Sequence, residues 1–155
     1  LYIQRIAQLT NKSNQFNLTT LRCSEDDIRA MAADADALCL CGKLVDKFGD
    51  NGIVTVVAGK RQGDLLDLTL WLMSCRVLKR GMEDAMMDTL MAQAAATGVK
   101  TVVGHYYPTA KNAMVRDFYA QFGFAKTAED AEGNTEWRLE VSGYEPKHPH
   151  MKIER

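Results

Sequence analysis

A mixed α/β domain, built on a mostly antiparallel sheet flanked by helices, is what these 155 residues predict, and three observations carry that expectation. Two apolar runs, "ALCLCGKLVDKF" and "GIVTVVAG", flank the turn residues Gly49, Asp50, Asn51 and Gly52, and a third, "DLLDLTLWLMSCRV", follows through Arg61 to Gly63. Extended runs joined by tight turns read as an antiparallel meander. Behind the meander, helical and extended patterns alternate, as in a sheet that helices cover. Composition agrees: 46% hydrophobic and 25% charged residues describe a globular chain with apolar material for one core.

The elements follow in order. Tyr2, Ile3, Ile6 and Leu9 recur at helical spacing, which predicts a short amphipathic helix ending at the amide-rich "TNKSNQFN". "FNLTTLR" reads as a strand. Ser24 with Asp27 three residues on forms a capping box, and Ile28 and Met31 continue an apolar face, so residues 25–34 are expected to be helical. The meander comes next. On its third strand, strict alternation places Leu66, Leu68, Leu70 and Leu72 on one face and Asp67, Thr69, Trp71, Met73 and Cys75 on the other. Met86, Leu90 and Ala94, at four-residue steps, predict a helix to about Ala96 that Gly98 ends. "TVVGHYY" is a strand, "NAMVRDFYAQFGF" a helix stopped by Gly123, and "TEWRLEV" the last strand. Residues 1–17 read as a junction helix and amide-rich loop, 18–143 as the domain, and 144–155 as a polar tail. A chain that starts at Leu1, inside a helical pattern and without Met, reads as a fragment of something longer.

Charge and cysteine usage narrow the function. A formal net charge of -1 gives no global attraction to nucleic acid or an anionic membrane, so any anion site is local. No apolar run approaches the ~20 residues that span a bilayer, and no charged-then-apolar leader opens the sequence, which predicts a cytoplasmic protein. Cys23, Cys39, Cys41 and Cys75 are too sparse for a disulfide framework and read as reduced, mostly buried thiols. Neither Cys39-Leu40-Cys41 nor His148 and His150 has the partners of a metal site, so no metal is expected.

At "KNAMVRDFYAQFGF" the residues resemble a known pattern: Asn112, Val115, Tyr119, Gly123 and Phe124 match the second signature of the GNAT-type acyl-coenzyme A N-acyltransferase fold. Asn112, Val115 and Tyr119 stand at three- and four-residue steps and so share one helical face. The resemblance implies that the Asn contacts the cofactor arm and the Tyr protonates the departing thiolate. By residue chemistry alone, Tyr119 reads first as an amphipathic core aromatic, and it is the resemblance that brings the catalytic reading level with it. Together with "NKSNQFNLTT", "DKFGDNG", "WLMSCRVLKRGME" and "YYPTAKN", the chain from Gln4 to Phe124 is similar to the C-terminal region of FkbH-like proteins, subfamily IIIC of the haloacid dehalogenase (HAD) superfamily. In that family an N-terminal HAD-like domain takes a glyceryl group from a bisphosphoglycerate, removes phosphate and loads the acyl group on an acyl carrier protein for methoxymalonyl synthesis. The Asp-x-Asp-x-Thr loop of that domain is absent: Asp34-Ala35-Asp36 lacks the Thr and reads as a solvated helix end.

The turn "SCRVLKRGMED" lies where the fold holds the pyrophosphate of coenzyme A, on backbone N–H groups at a helix start. The resemblance places Arg76, Val77, Lys79, Arg80 and Gly81 around it, with Asn112 as the further cofactor contact. The turn departs from the acetyltransferase pattern, because Leu78 stands at the basic or amide position and Glu83 at the final small-residue position. A like charge about 4 Å from the anion costs roughly 1 kcal/mol in water-like surroundings and about 4 kcal/mol near a protein surface, or roughly tenfold to a thousandfold in affinity. Lys79 adds bulk where the FkbH-like pattern has glycine. The phosphopantetheine arm of a carrier protein, with one phosphate, asks less of the turn and needs the same slot between the meander's third strand and "TVVGHYY".

Cys75, near the strand end beside Arg76, is a candidate acyl acceptor, with a small buried residue as the alternative. His105 is a candidate general base near neutral pH, or a hydrogen-bonded structural histidine. The amides Asn11, Asn14, Gln15 and Asn17 either line a domain junction or cap backbone groups. The expected function is an acyltransferase-like module that binds or docks a carrier protein's pantetheine arm beside the HAD-like domain, its other partner. Neither nucleic acid nor membrane is expected as a partner. The enzyme alternative is an acyl-coenzyme A-dependent acyltransferase with Tyr119 as acid, Asn112 on the cofactor and His105 as base; a third is a structural or dimerisation unit.

Overall fold

The computed structural model describes residues 2–46, 49–74 and 81–147. In chain order the elements are α1 (Tyr2–Lys12), α2 (Glu25–Ala33), β1 (Ala37–Asp46), β2 (Gly49–Gln62), β3 (Leu65–Met73), α3 (Met82–Ala96), β4 (Thr101–Tyr106), β5 (Ala125–Glu129) and β6 (Thr135–Glu140). Short 3-10 turns occupy Ala113–Val115, Tyr119–Phe122 and Val141–Gly143. The strands form one sheet in the order β1-β2-β3-β4-β6-β5. Every neighbouring pair is antiparallel except β3 with β4, which the α3 crossover makes parallel. The expected mixed, mostly antiparallel sheet with flanking helices is thus the observed architecture.

Helix α2 forms as its capping box requires. The Ser24 side chain accepts from the Asp27 N–H at 3.1 Å and the Asp27 carboxylate accepts from the Ser24 N–H at 2.8 Å. Helices α1 and α2 cover one sheet face through Ile6, Ala7, Leu9 and Ile28, which with Cys23 of the connecting loop pack on Ile53, Val56, Ala58, Leu70 and Leu72. On the other face, α3 supplies Met82, Met86, Met87, Leu90, Met91 and Ala94, which join Trp71, Phe118, Tyr119, Phe122 and Phe124. Burial raises the pKa of the Cys23 thiol, and Asp27 adds to the effect. Cys39 and Cys41 differ from the expectation of buried thiols: they lie exposed on β1, the edge strand, whose Leu38 and Leu40 turn to the core instead.

Strand β5 is an element the sequence does not announce, and four others depart from the sequence reading. The β2–β3 register pairs Ala58 with Leu70 but Gly59 with Leu68, leaving Thr69 as an extra residue in a bulge. Alternation therefore changes phase at Thr69. Leu66 and Leu68 share the α3 face with Trp71 and Met73, and Leu70 and Leu72 face α1 and α2, correcting the strict alternation. The hairpin turn precedes Gly49, because Asp46 pairs with Gly49 and Val45 with Asp50. "FNLTTLR" forms only one bridge, Asn17 to Leu72, and Thr20, at φ 52, ends the extended run. "NAMVRDFYAQFGF" forms 3-10 turns rather than an α-helix. Asn112, Val115 and Phe118 are all buried at three-residue steps, the 3-10 period, which would not align in an α-helix. Gly123, at φ 89, does end that run.

Candidate functional site

The site is a fork in the sheet. Parallel pairing of β3 with β4 is confined to Leu65, Leu66 and Asp67 against Thr101, Val102 and Val103, after which the strands separate. The sequence predicts a ligand slot between these strands; the structure places the chain's own residues Phe16–Leu18 there. Leu18 N–H donates to the Trp71 carbonyl and Met73 N–H to the Phe16 carbonyl, each at 3.0 Å, on the β3 side. On the β4 side, Tyr107 N–H donates to the Leu18 carbonyl at 2.8 Å. The Asn112 side-chain amide donates to the Asn17 carbonyl at 3.0 Å. Thr19 Oγ1 caps the bulge by donating to the Thr69 carbonyl at 2.8 Å.

Beside the fork, on the α3 face, lies a cavity of about 370 Å³ lined by Phe16, Gly81, Glu83, Asp84, Met114, Val115, Phe118 and Gln121. Two aromatic rings line it, Phe16 and Phe118, which meet edge-on at 5.2 Å, and the fully buried Trp71 packs on Phe118 at 5.0 Å without reaching the lining. Among the described residues its mouth is acidic. Gly81 caps α3 in the left-handed region, at φ 84, where glycine is favoured, and Glu83 and Asp84 occupy the first turn. Burial raises the Asp84 pKa, and the Glu83 and Asp88 charges raise it further against Lys147, which lowers it. An anion approaching this helix start meets two carboxyl groups. Trp71 is fully buried at the fork, and its indole N–H has no hydrogen-bond partner among the described residues.

On the α1/α2 side, His105 Nε2 lies 2.6 Å from Asp67 Oδ1, with the side chains 20% and 31% exposed. The two residues sit on neighbouring strands where the fork opens. Sequence reasoning singled out His105 and missed Asp67, whose signal was a carboxylate in the middle of an apolar strand. Tyr119 is buried against Trp71, Phe118 and Phe124, and burial, with the Asp67 charge second, holds its pKa far above the usual phenol value. Asn112 is spent on the fold. Its Oδ1 accepts from Tyr106 OH at 3.2 Å and from Thr109 N–H at 2.7 Å, and its Nδ2 donates to Asn17 and Tyr107 carbonyls. Gly81 lines the cavity; Cys75, Arg76, Val77, Lys79 and Arg80 lie outside the described residues. The amides of the first loop serve backbone groups: Asn11 donates to the Ala7 and Cys23 carbonyls, and Asn17 binds Ser13 O and Thr20 N–H. Among the described residues no three His, Cys, Asp or Glu form a metal-binding group, and no helix is long and apolar enough to cross a membrane.

Solved structures share this architecture. The chain is similar to the ribosomal-protein-S18-alanine N-acetyltransferase from Escherichia coli, with TM-score 0.66 and 14% identity over 90% of this chain and 87% of that one. It is similar to the GNAT domain of S. lividans PAT, with TM-score 0.67 and 16% identity over 90% and 85%. Similarity also extends to the PaiA N-acetyltransferase from Thermoplasma acidophilum, solved in complex with coenzyme A, with TM-score 0.62 and 13% identity over 76% and 71%. No protein-family model matches the sequence, and no curated protein does. At these identities the likeness shows the fold: the chain has the GNAT acetyltransferase fold.

Proposed function

We propose that the chain is an acyltransferase-fold module that holds the acyl-pantetheine arm of an acyl carrier protein in preference to free acyl-coenzyme A. The observation that carries this reading is the cavity beside α3, lined by the Phe16 and Phe118 rings and by the carboxylates Glu83 and Asp84. The two rings suit the arm's apolar stem. Glu83 and Asp84 at the cavity mouth oppose the diphosphate that distinguishes coenzyme A. The FkbH-like resemblance of "NKSNQFNLTT" and "WLMSCRVLKRGME" supplies the carrier as the source of the arm, and a glyceryl-loading HAD-like domain as the neighbour.

The test is binding of a carrier protein bearing acetyl-phosphopantetheine against the same carrier without the arm. The loaded carrier should bind at least about tenfold more tightly. Equal binding of both carriers contradicts the proposal.

A second reading, catalytic acyl transfer to an amine, is favoured by the 2.6 Å contact between His105 and Asp67. In it the amine nitrogen attacks the thioester carbonyl, His105 takes the amine proton while Asp67 orients the ring, and the C–S bond breaks. The departing thiolate takes the proton held on His105, which regenerates the base. His105→Gln should then lower the turnover number at least about a hundredfold with little change in thioester affinity, the range expected for loss of a general base. Unchanged turnover removes His105 from this role.

A further inference from the structure

A second cavity, of about 330 Å³, is lined by Asn14, Thr20, Arg22, Thr109, Ala110 and Lys111. It shares no lining residue with the α3 cavity, and Asn14 and Thr20 bracket in sequence the Phe16–Leu18 segment that fills the fork. Its chemistry is the opposite of the acidic α3 mouth. Arg22 and Lys111 bring two positive charges to it, and neither pairs with a carboxylate among the described residues. In a chain of net charge -1, two cations left unneutralised on one concavity are a local anion site rather than a share of a general basic surface.

The walls are held in place. Arg22 Nη1 donates to the Thr10 and Ser13 carbonyls, the latter at 2.8 Å, and Nη2 donates to Asn14 Oδ1 at 2.5 Å. These bonds fix the guanidinium and leave its Nε–H and one Nη2 proton unspent. Opposite, Thr109 Oγ1 accepts from the Lys111 and Asn112 N–H groups, each at 3.2 Å, so its own hydroxyl proton is left to donate. Thr20 is kept in the left-handed region, at φ 52, by the Asn17 Oδ1 contact to its N–H. A strained residue held by its surroundings is common where a ligand site is pre-organised. We propose that Arg22, Lys111 and the Thr109 hydroxyl bind a phosphate monoester dianion: its charge matches the two cations, and its three terminal oxygens match a guanidinium edge, an ammonium and a hydroxyl. The site stands apart from the reading above, because the phosphate of a carrier-bound arm is a diester with one charge and two terminal oxygens, a poorer match to two cations and three donors.

The test starts with inorganic phosphate and the wild-type chain, followed by amide NMR. Saturable shifts of the Thr109, Ala110 and Lys111 amides are expected, weakening with added salt and weakened at least about tenfold in Lys111→Glu. Lys111 is exposed, so the substitution leaves the fold intact, which the spectrum itself verifies. The absence of saturable shifts, or the same affinity in Lys111→Glu, overturns the site. Free phosphopantetheine, itself a monoester, and pantetheine then test an organic phosphate. A preference of about tenfold for the phosphorylated molecule, lost in Lys111→Glu, supports the site as one for an organic phosphate monoester. Equal binding of the two overturns that assignment.

Discussion

Gly104→Ala is expected to destabilise the protein by about 3 kcal/mol, the upper end of the usual range for adding a methyl to a packed core. A Cβ at Gly104 would lie 2.3, 2.5 and 2.7 Å from three ring carbons of Tyr119. The ring cannot retreat, because Phe124 is 4.9 Å, Phe118 5.4 Å and Trp71 6.3 Å away, centroid to centroid. At an unobstructed strand position the same change would stabilise by roughly 0.5–1 kcal/mol, since glycine loses more backbone entropy than alanine on folding. The sign therefore reports the contact. Urea unfolding measures it, and Tyr119→Leu should recover much of the loss as a non-additive coupling. Additive effects would mean that the ring does not rest on β4 as described.

Asn112→Ala is expected to cost about 3 kcal/mol, because it strands a buried backbone carbonyl and a tyrosine hydroxyl that lose their partners together. Its side chain ties Asn17 of the fork segment to Tyr106, Tyr107 and Thr109 around the end of β4. Asn112→Asp should be at least as damaging despite its equal size. Two donors become lone pairs facing carbonyl oxygens, in a site with no exposed surface to solvate the charge. A residue that served only a bound cofactor would leave unliganded stability unchanged. Denaturant unfolding of both variants separates these cases.

Much of the architecture was legible because local signals decided it. The Ser24–Asp27 box, the helix from Met82 to Ala96 and the meander all follow from side-chain periodicity and capping, which act over a few residues. The bulge at Thr69 was not legible, since an inserted residue leaves the apolar pattern of β3 looking continuous while it exchanges the faces of Leu70 and Trp71. Strand β5 carries no apolar alternation: all of Ala125–Glu129 are exposed, and pairing with β6 alone makes the segment a strand. The 3-10 path after Asn112 was hidden because Tyr119 also fits a four-residue step from Val115. Within the site, His105 could be read and its partner Asp67 could not, as their contact spans 38 positions and depends on which strands become neighbours. The amide density of the first loop was visible, but only the fold shows that its Phe16–Leu18 segment is bonded to both prongs of the fork.

On the function proposed above, the cavity beside α3 favours a pantetheine arm over coenzyme A because Glu83 and Asp84 line it where the diphosphate would lie. Calorimetric titration of the chain with acetyl-phosphopantetheine and with acetyl-coenzyme A tests it most directly, since the first ligand is contained within the second. The smaller ligand is expected to bind at least about tenfold more tightly, a difference of roughly 1.4 kcal/mol. Tighter binding of acetyl-coenzyme A, at micromolar affinity, would contradict it and assign the turn before α3 to the pyrophosphate of a true acyl-coenzyme A enzyme.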